Sequence, residues 1–138
     1  MKTYNQLVRL HEYRLHERQK AVSKLEAEAA ELRAKIAALE AEMVAEEKRA
    51  QESALGSATF ANYFRRASER RRALSDSLNE LARRILTARM ELKRVFDELK
   101  RIETLRDRKE HEMAEELKRA EQAELDEVAL RQHHRNGG

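Results

Sequence analysis

The chain lacks cysteine, proline and tryptophan, and two of its three glycines stand at the C-terminal end. Without cysteine, neither a disulfide framework nor a thiolate metal site can form. With so little glycine, the sequence offers almost no material for β-hairpins, phosphate-binding loops or nucleophile elbows. No apolar run approaches the roughly 18 residues that span a bilayer, and no signal-peptide core opens the chain, so we expect a cytoplasmic protein.

Charged residues are abundant: they make up 40% of the 138 residues, against 4% for aromatic residues. This composition is typical of long helices rather than of a globular core. The net charge is only +3, but it is unevenly distributed: residues 1–54 hold 10 basic and 10 acidic side chains, residues 55–109 hold 15 and 8, and residues 110–138 hold 4 and 8. A positive centre and a negative end bear on partners rather than on fold.

Two heptad ladders flank Gly56, the one glycine in the interior of the chain. A seven-residue apolar repeat keeps a narrow stripe of a helix facing a partner helix. We therefore predict an all-α fold, a long antiparallel two-helix coiled-coil hairpin with an overhanging C-terminal helix. The first ladder consists of Val8, Leu15, Val22, Leu25, Ala29, Leu32, Ile36, Leu39 and Met43, and the second of Leu74, Leu78, Leu81, Ile85, Ala88, Leu92, Val95, Leu99 and Ile102.

The predicted boundaries follow from the position of that glycine. Gly56 is expected to adopt a left-handed conformation at the end of helix 1, and Ser57 or Thr59 to cap helix 2. The part of helix 2 beyond about residue 116 has no helix opposite it and should need a partner or fray. A single domain is expected over residues 1–132, with helix 1 at about 3–54, a turn at about 55–58, helix 2 at about 59–132 and a flexible tail at 133–138.

The register across the seam can also be predicted from the ladders. One register places Arg71 against Leu39, so that a charged side chain occupies a core layer. The register shifted by one heptad avoids this and pairs Glu46 with Arg71 instead, so we prefer it. Its apolar pairs are Leu39 with Leu78, Leu32 with Ile85, Leu25 with Leu92, Val22 with Val95 and Ala29 with Ala88. The seam weakens toward the termini, where ladder positions are held by His11, Arg18, Arg106 and Lys109.

Catalysis is not expected, because a tuned carboxylate needs a cleft and a two-helix hairpin has none. His11 and His111 could approach each other at the open end, but a metal site needs three or four converging ligands, so we predict no metal, cofactor or small-molecule substrate. Three aromatic residues lie beside the turn. Phe60 and Phe64 fall on the apolar stripe and are expected in the core, whereas Tyr63 lies off it and is expected to be an exposed docking contact.

The densest cationic segment is residues 65–72, RRASERRR. Helices with arginine clusters can enter the major groove of DNA, but the pattern lacks the asparagine of leucine-zipper basic regions and the total charge is nearly balanced. A solvated or partner-facing arginine band is therefore favoured over a nucleic-acid interface. Two alternatives stay open: a scaffolding coiled coil that self-associates, as it would if the turn did not close, and an arginine-driven nucleic-acid binder.

Three segments resemble the FliJ family of flagellar export proteins. Residues 98–109, ELKRIETLRDRK, are similar to the family's late-helix pattern, a lysine or arginine followed by Leu-Glu-Lys-Leu-x-x-Arg and a second basic residue. Residues 121–129, EQAELDEVA, resemble its closing pattern Glu-Gln-x-Glu-Leu-Asp-Glu, an aliphatic residue and Ala. Residues 7–15, LVRLHEYRL, resemble its opening helix.

The resemblance implies a non-enzymatic component of the bacterial flagellar type III export apparatus, needed for motility and peripherally associated with the cytoplasmic face of the inner membrane at the flagellar base. It also implies a coiled coil similar to the gamma-type stalk of rotary ATPases, with the export ATPase hexamer, the export gate protein and export chaperones as partners and no nucleic acid. On that basis we expect gate contacts at Phe60 and Tyr63. ATPase contacts are expected at Arg106, Arg108, Lys109, Gln122, Glu124, Asp126 and Glu127.

Overall fold

A computed structural model describes residues 2–137 and contains two α-helices, α1 (Lys2–Ala50) and α2 (Ala54–Gly137). The helices pack against each other, and the described residues contain no strand, which confirms the predicted all-α helical hairpin. Both helices run for many turns because the chain has no proline to interrupt them and is rich in strong helix formers.

The turn between the helices lies earlier than predicted, at residues 51–53 instead of 55–58. Ser53 caps α2: its Oγ accepts a hydrogen bond from the backbone N–H of Gly56 at 2.9 Å, three residues into the helix. Ser57 and Thr59, the predicted caps, lie inside α2. Their hydroxyls donate instead to backbone carbonyls, that of Ser57 to Ala50 at 3.0 Å and that of Thr59 to Leu55 at 3.2 Å.

Gly56 is helical, and the predicted left-handed conformation is wrong, since none of the glycines described has a positive φ. Its lack of a side chain matters for another reason. A Cβ at this position would lie 3.1 Å from the Cα of Ala50 and 2.9 Å from the Oγ of Ser53. Glycine therefore allows the first turn of α2 to pack closely against the last turn of α1.

The described residues divide into two compact units, each built from part of both helices. The first unit comprises residues 2–14 and 95–137, and the second comprises residues 15–94.

In the second unit, the predicted ladder positions face the partner helix and are buried or half-buried. One buried cluster consists of Ala29, Leu81 and Ile85, with Leu25, Leu32 and Leu78 packed against it. The other consists of Leu39, Met43 and Ala67, with Tyr63 and Leu74 packed against it. Higher residue numbers on α1 thus face lower numbers on α2, so the helices are antiparallel.

These clusters show that the predicted register is wrong by about one heptad. Leu32 does pack against the cluster that contains Ile85, but Ala29 packs there too, instead of opposite Ala88. Likewise Met43 packs beside Ala67, which the predicted register would have placed near the end of α1. The observed pairing is the one that sets Arg71 near the level of Leu39.

Two physical features account for the difference. The turn lies about four residues earlier than predicted, and such a move displaces the pairing across a hairpin by about twice as much. The expected burial of Arg71 does not arise either, because its long side chain leaves the seam and is exposed. The predicted pair of Glu46 with Arg71 is wrong: Glu46 Oε1 lies 2.7 Å from Nη1 of Arg49 on the same helix.

In the first unit, Val8 and His11 of α1 are buried, and so are Val95 and Leu99 of α2. His11 occupies the predicted polar position in the seam. Its Nδ1 donates a hydrogen bond to the carbonyl oxygen of Leu7 at 2.9 Å, and its Nε2 lies 3.7 Å from Oε2 of Glu98. The polar character predicted for this end of the seam is therefore confirmed at His11.

The overhang of α2 is confirmed and begins earlier than expected, because the register is shifted. From residue 107 to residue 137, every side chain except that of Glu115 is exposed. We call residues 107–137 the C-terminal segment. Residues 133–137, predicted to be a tail, are helical, and Gly138 lies outside the described residues. The predicted flexibility of this end stays a prediction.

Candidate functional site

The residues predicted to contact an ATPase all lie on α2 in the first unit. Arg106 is half-buried, with Nε 3.3 Å from Oδ1 of Asp107, and the remaining six are exposed. Gln122 donates to Asp126 at 3.1 Å, and Glu127 pairs with Arg131 at 2.8 Å. The structure places these residues on one helix in two groups about 20 Å apart, at 1.5 Å per residue, so it does not gather them into one cluster.

The C-terminal segment also carries exposed apolar side chains that the heptad analysis missed. Met113 is 46% exposed, Leu117 62%, Leu125 64% and Val128 42%. At about 100° per residue, these four side chains fall within about 120° of the helix circumference, whereas Leu130 lies on the opposite face. We call the four residues the apolar stripe. An 11-residue spacing, which relates Leu117 to Val128, was the signal that could have revealed it.

Beside the turn, the aromatic residues are arranged differently from the prediction. Phe60 is half-buried, with its ring centroid 5.7 Å from that of Phe64 and 6.2 Å from that of Tyr63. Tyr63, predicted to be exposed, packs against Leu39 and the rest of its cluster. Phe64, predicted to be in the core, is 48% exposed. A register shift of one heptad keeps the same face of α2 toward α1, so the shift does not account for this exchange.

The hydroxyl of Tyr63 is buried and makes no hydrogen bond. Glu42 of α1 is close enough for its charge to act on the hydroxyl, although hydrogen-bond geometry is not met. Burial raises the pKa of Tyr63 above its ordinary value, and the negative charges of Glu42 and Glu46 raise it further. Tyr63 is therefore a seam residue held in its neutral form rather than an exposed aromatic anchor.

A groove runs along the second unit where α2 carries its arginine-rich segment. Its volume is about 780 Å³, and its lining residues are Ile36, Glu40, Phe64, Arg65, Ser68, Glu69, Arg71, Arg72, Ser75 and Asp76. We call it the arginine groove. Its three arginines are exposed and, within the described residues, none of them forms an ion pair. The three carboxylates in the lining balance their charge.

Between residues 2 and 137, no group of three or more histidine, aspartate or glutamate side chains is arranged to hold a metal ion. In the same part of the chain, no helix is long and apolar enough to cross a membrane.

Comparison with protein families matches residues 1–138, the whole chain, to the family described as Flagellar FliJ protein. The chain belongs to the FliJ family. No curated protein and no solved structure matches it significantly. Membership in the FliJ family confirms the resemblance carried by the three segments and gives the chain a role connected with flagellar protein export. For this FliJ-family chain, the contacts of individual residues with partners stay predictions.

Proposed function

We propose that this FliJ-family chain couples the flagellar export ATPase ring to the export gate as a non-enzymatic stalk. In this proposal the C-terminal segment enters the ATPase ring, and the end of the hairpin near residues 51–60 faces the gate. The chain itself binds and hydrolyses no nucleotide. It acts at the cytoplasmic face of the inner membrane, where it also assists export chaperones.

The observation that carries the proposal is the unpartnered C-terminal segment. An isolated helix is marginally stable in water, because most helix stability in proteins comes from packing of an apolar face. Here about 30 residues of α2 have no helix opposite them, and the apolar stripe is exposed. Insertion into the opening of a ring would bury the stripe and leave the surrounding charged side chains to contact polar residues of the ring.

The turn region offers the second contact. Leu55 is 77% exposed at the start of α2, and Phe60 is half-buried one turn further on. Exposed apolar side chains beside the turn of a helical hairpin are suited to docking on another protein. Because Tyr63 lies in the seam, we propose that it supports Phe60 from within and that Leu55 and Phe60 face the gate.

The ATPase contact is tested with a variant in which Met113, Leu117, Leu125 and Val128 are each replaced by serine. We expect this variant to lose most of its stimulation of the purified ATPase hexamer, as should a chain that ends at residue 109. The matched control is Leu130→Ser, because Leu130 is 68% exposed but lies on the other face of the helix. Undiminished ATPase stimulation by the truncated chain would contradict insertion of this segment.

The gate contact is tested separately with Leu55→Asp. This exposed position tolerates a charge without disturbing the seam, so folding and ATPase stimulation should be retained while binding to the gate and motility decline. Val44→Asp is the control, since Val44 is 54% exposed on α1 in the same unit. Equal loss of ATPase stimulation and gate binding in Leu55→Asp would count against two separate contact regions.

A further inference from the structure

The face of α2 that packs against α1 continues beyond the end of the seam. Val95 and Leu99 are buried in the first unit, on the side of α2 that packs against α1. About five turns further along α2, at 3.6 residues per turn, the same angular positions are held by Met113 and Leu117 of the apolar stripe. Leu99 is 4% exposed, whereas Leu117 is 62% exposed. The apolar stripe is therefore the seam face of α2 without a helix packed on it.

Three glutamates lie among the apolar side chains of that face. At about 100° per residue, Glu110, Glu121 and Glu124 fall within the same 120°, approximately, of the helix circumference as the apolar stripe. All three are exposed, and within the described part of the chain none of them forms an ion pair. Between Glu110 and Glu124 the only lysine and arginine residues are Lys118 and Arg119, and both lie outside this sector. The face thus combines apolar side chains with negative charge that the chain does not pair.

Two features of this face define what can cover it. Its apolar positions have helical spacing and continue a seam that a helix already fills, so a helix lying in line with α1 can cover them. Burying the carboxylates without partners would weaken the contact, because each would lose water and gain nothing in return. A covering helix with lysine or arginine beside its apolar residues supplies those partners. The same charge disfavours an anionic membrane, a nucleic acid or the stripe of a second copy, because each would bring negative charge against it.

We propose that residues 110–128 bind a basic amphipathic helix of a partner protein, one that carries lysine or arginine on both sides of an apolar stripe. The contact extends the two-helix seam by about 27 Å, at 1.5 Å per residue. Such binding deepens the proposed function and rests on it for the use of this segment as a contact surface. It adds the chemistry of the surface that receives the segment: apolar side chains flanked by positive charge.

The test measures binding of a labelled synthetic helical peptide to the full chain by fluorescence anisotropy. The peptide contains about three heptads with isoleucine and leucine at the apolar positions and lysine on both flanks, and a second peptide carries glutamate in place of lysine. We expect the lysine peptide to bind the parent chain, with an affinity that falls as the salt concentration rises. The glutamate peptide should not bind the parent chain, because its charge has the same sign as that of the stripe face.

Two triple variants with the same net charge separate the stripe face from the rest of the segment. E110K/E121K/E124K reverses the charge on the stripe face and should weaken binding of the lysine peptide roughly tenfold or more. E112K/E115K/E116K makes the same change on the opposite face of α2. It should bind nearly as well as the parent at physiological salt, where charges more than about 8 Å away are screened. The first variant should also bind the glutamate peptide, which a misfolded chain would not do.

The lysine peptide failing to bind the parent, equal loss of binding in the two variants, or equal binding of both peptides to the parent would overturn the proposed basic helix. Insertion into the ATPase ring fails on a different measurement, because the serine variant of the apolar stripe is assayed for ATPase stimulation without any peptide. Normal stimulation by that serine variant, together with charge-dependent peptide binding by the parent, would overturn insertion alone. Lost stimulation without peptide binding would overturn the basic helix alone.

Discussion

Tyr63 is a large side chain held in the seam of the second unit, with its hydroxyl shut off from water and from any hydrogen bond. A buried hydroxyl without a partner lowers stability, because its interaction with water is lost and not replaced. The ring nevertheless packs against Leu39, Met43 and Ala67, so the position favours an aromatic side chain without the hydroxyl. The ring of Tyr63 therefore stabilises the seam by packing, while its hydroxyl remains unpaired.

Replacing Tyr63 by phenylalanine should raise the free energy of unfolding, because the change removes the unpaired hydroxyl and keeps the ring. Urea denaturation followed by circular dichroism measures the change. Tyr13→Phe is the control: Tyr13 is 63% exposed, so its loss of a solvated hydroxyl should leave stability unchanged. A Tyr63→Phe variant no more stable than the parent would contradict this account of the hydroxyl.

The raised pKa of Tyr63 adds a pH dependence to the same comparison. Because the hydroxyl ionises more readily in the unfolded chain, the parent loses stability as pH rises from the ordinary tyrosine pKa of about 10 through the folded-state pKa. Between about pH 9 and about pH 11, Tyr63→Phe should therefore lose less stability than the parent. Tyr13→Phe should follow the parent over this range.

At the scale of the secondary-structure elements, the short turn governs how the two helices begin and end. Ser53 caps α2, and Gly56 allows the backbone of that helix to approach Ala50. The hydroxyl of Ser57 joins the two elements by donating to the last carbonyl of α1. These three small residues thus fix a connection of only three residues. That short connection determines the register in which α1 and α2 pack.

Replacing Gly56 by alanine should lower the free energy of unfolding by about 1 kcal/mol, although alanine is the better helix former. The added Cβ would press on the Cα of Ala50 and on the capping hydroxyl of Ser53. Thermal denaturation measures the effect. In the control Gly137→Ala, the nearest atom lies 3.8 Å away, so stability should be unchanged or slightly higher. A stabilised Gly56→Ala would show that the turn relaxes without loss.

At the scale of the whole molecule, the two units carry different surface features. The second unit contains the arginine groove, and the first contains the acidic C-terminal segment with its apolar stripe. The apolar stripe is exposed, and an ATPase ring is expected to bind there. Which α1 residue each α2 residue meets across the seam depends on the register of the hairpin.

The register can be tested by cross-linking, since the chain has no cysteine of its own. We expect Ala29→Cys combined with Leu81→Cys to be joined rapidly by a short bifunctional thiol reagent at low protein concentration, because Ala29 packs in the cluster with Leu81 and Ile85. The comparison is Ala29→Cys with Ala88→Cys, the pair that the shifted register would bring together. Linkage is seen as a change in electrophoretic mobility. Faster linkage of the second pair would support the register predicted from the sequence and contradict the observed one.

The sequence predicted the helices, the face that each one buries, the overhang and the family, because each depends on local patterns that stand directly in the chain. Helical periodicity places Val22, Leu39 and Ile85 inward whatever the partner does. The closing pattern at residues 121–129 likewise belongs to the chain alone. The basic segment was visible in the sequence, but the groove that it lines was not.

Only the tertiary structure decided the register, the residue that caps α2, and the fact that Phe64 is exposed while Tyr63 packs in the seam. A heptad ladder fits its partner almost equally well after a shift of seven residues, so periodicity alone leaves the pairing open. The choice rests on close contacts between residues far apart in the chain, such as Met43 with Ala67, and on the tight turn at Ser53. Periodicity is a property of one helix, whereas register is a property of two helices packed together.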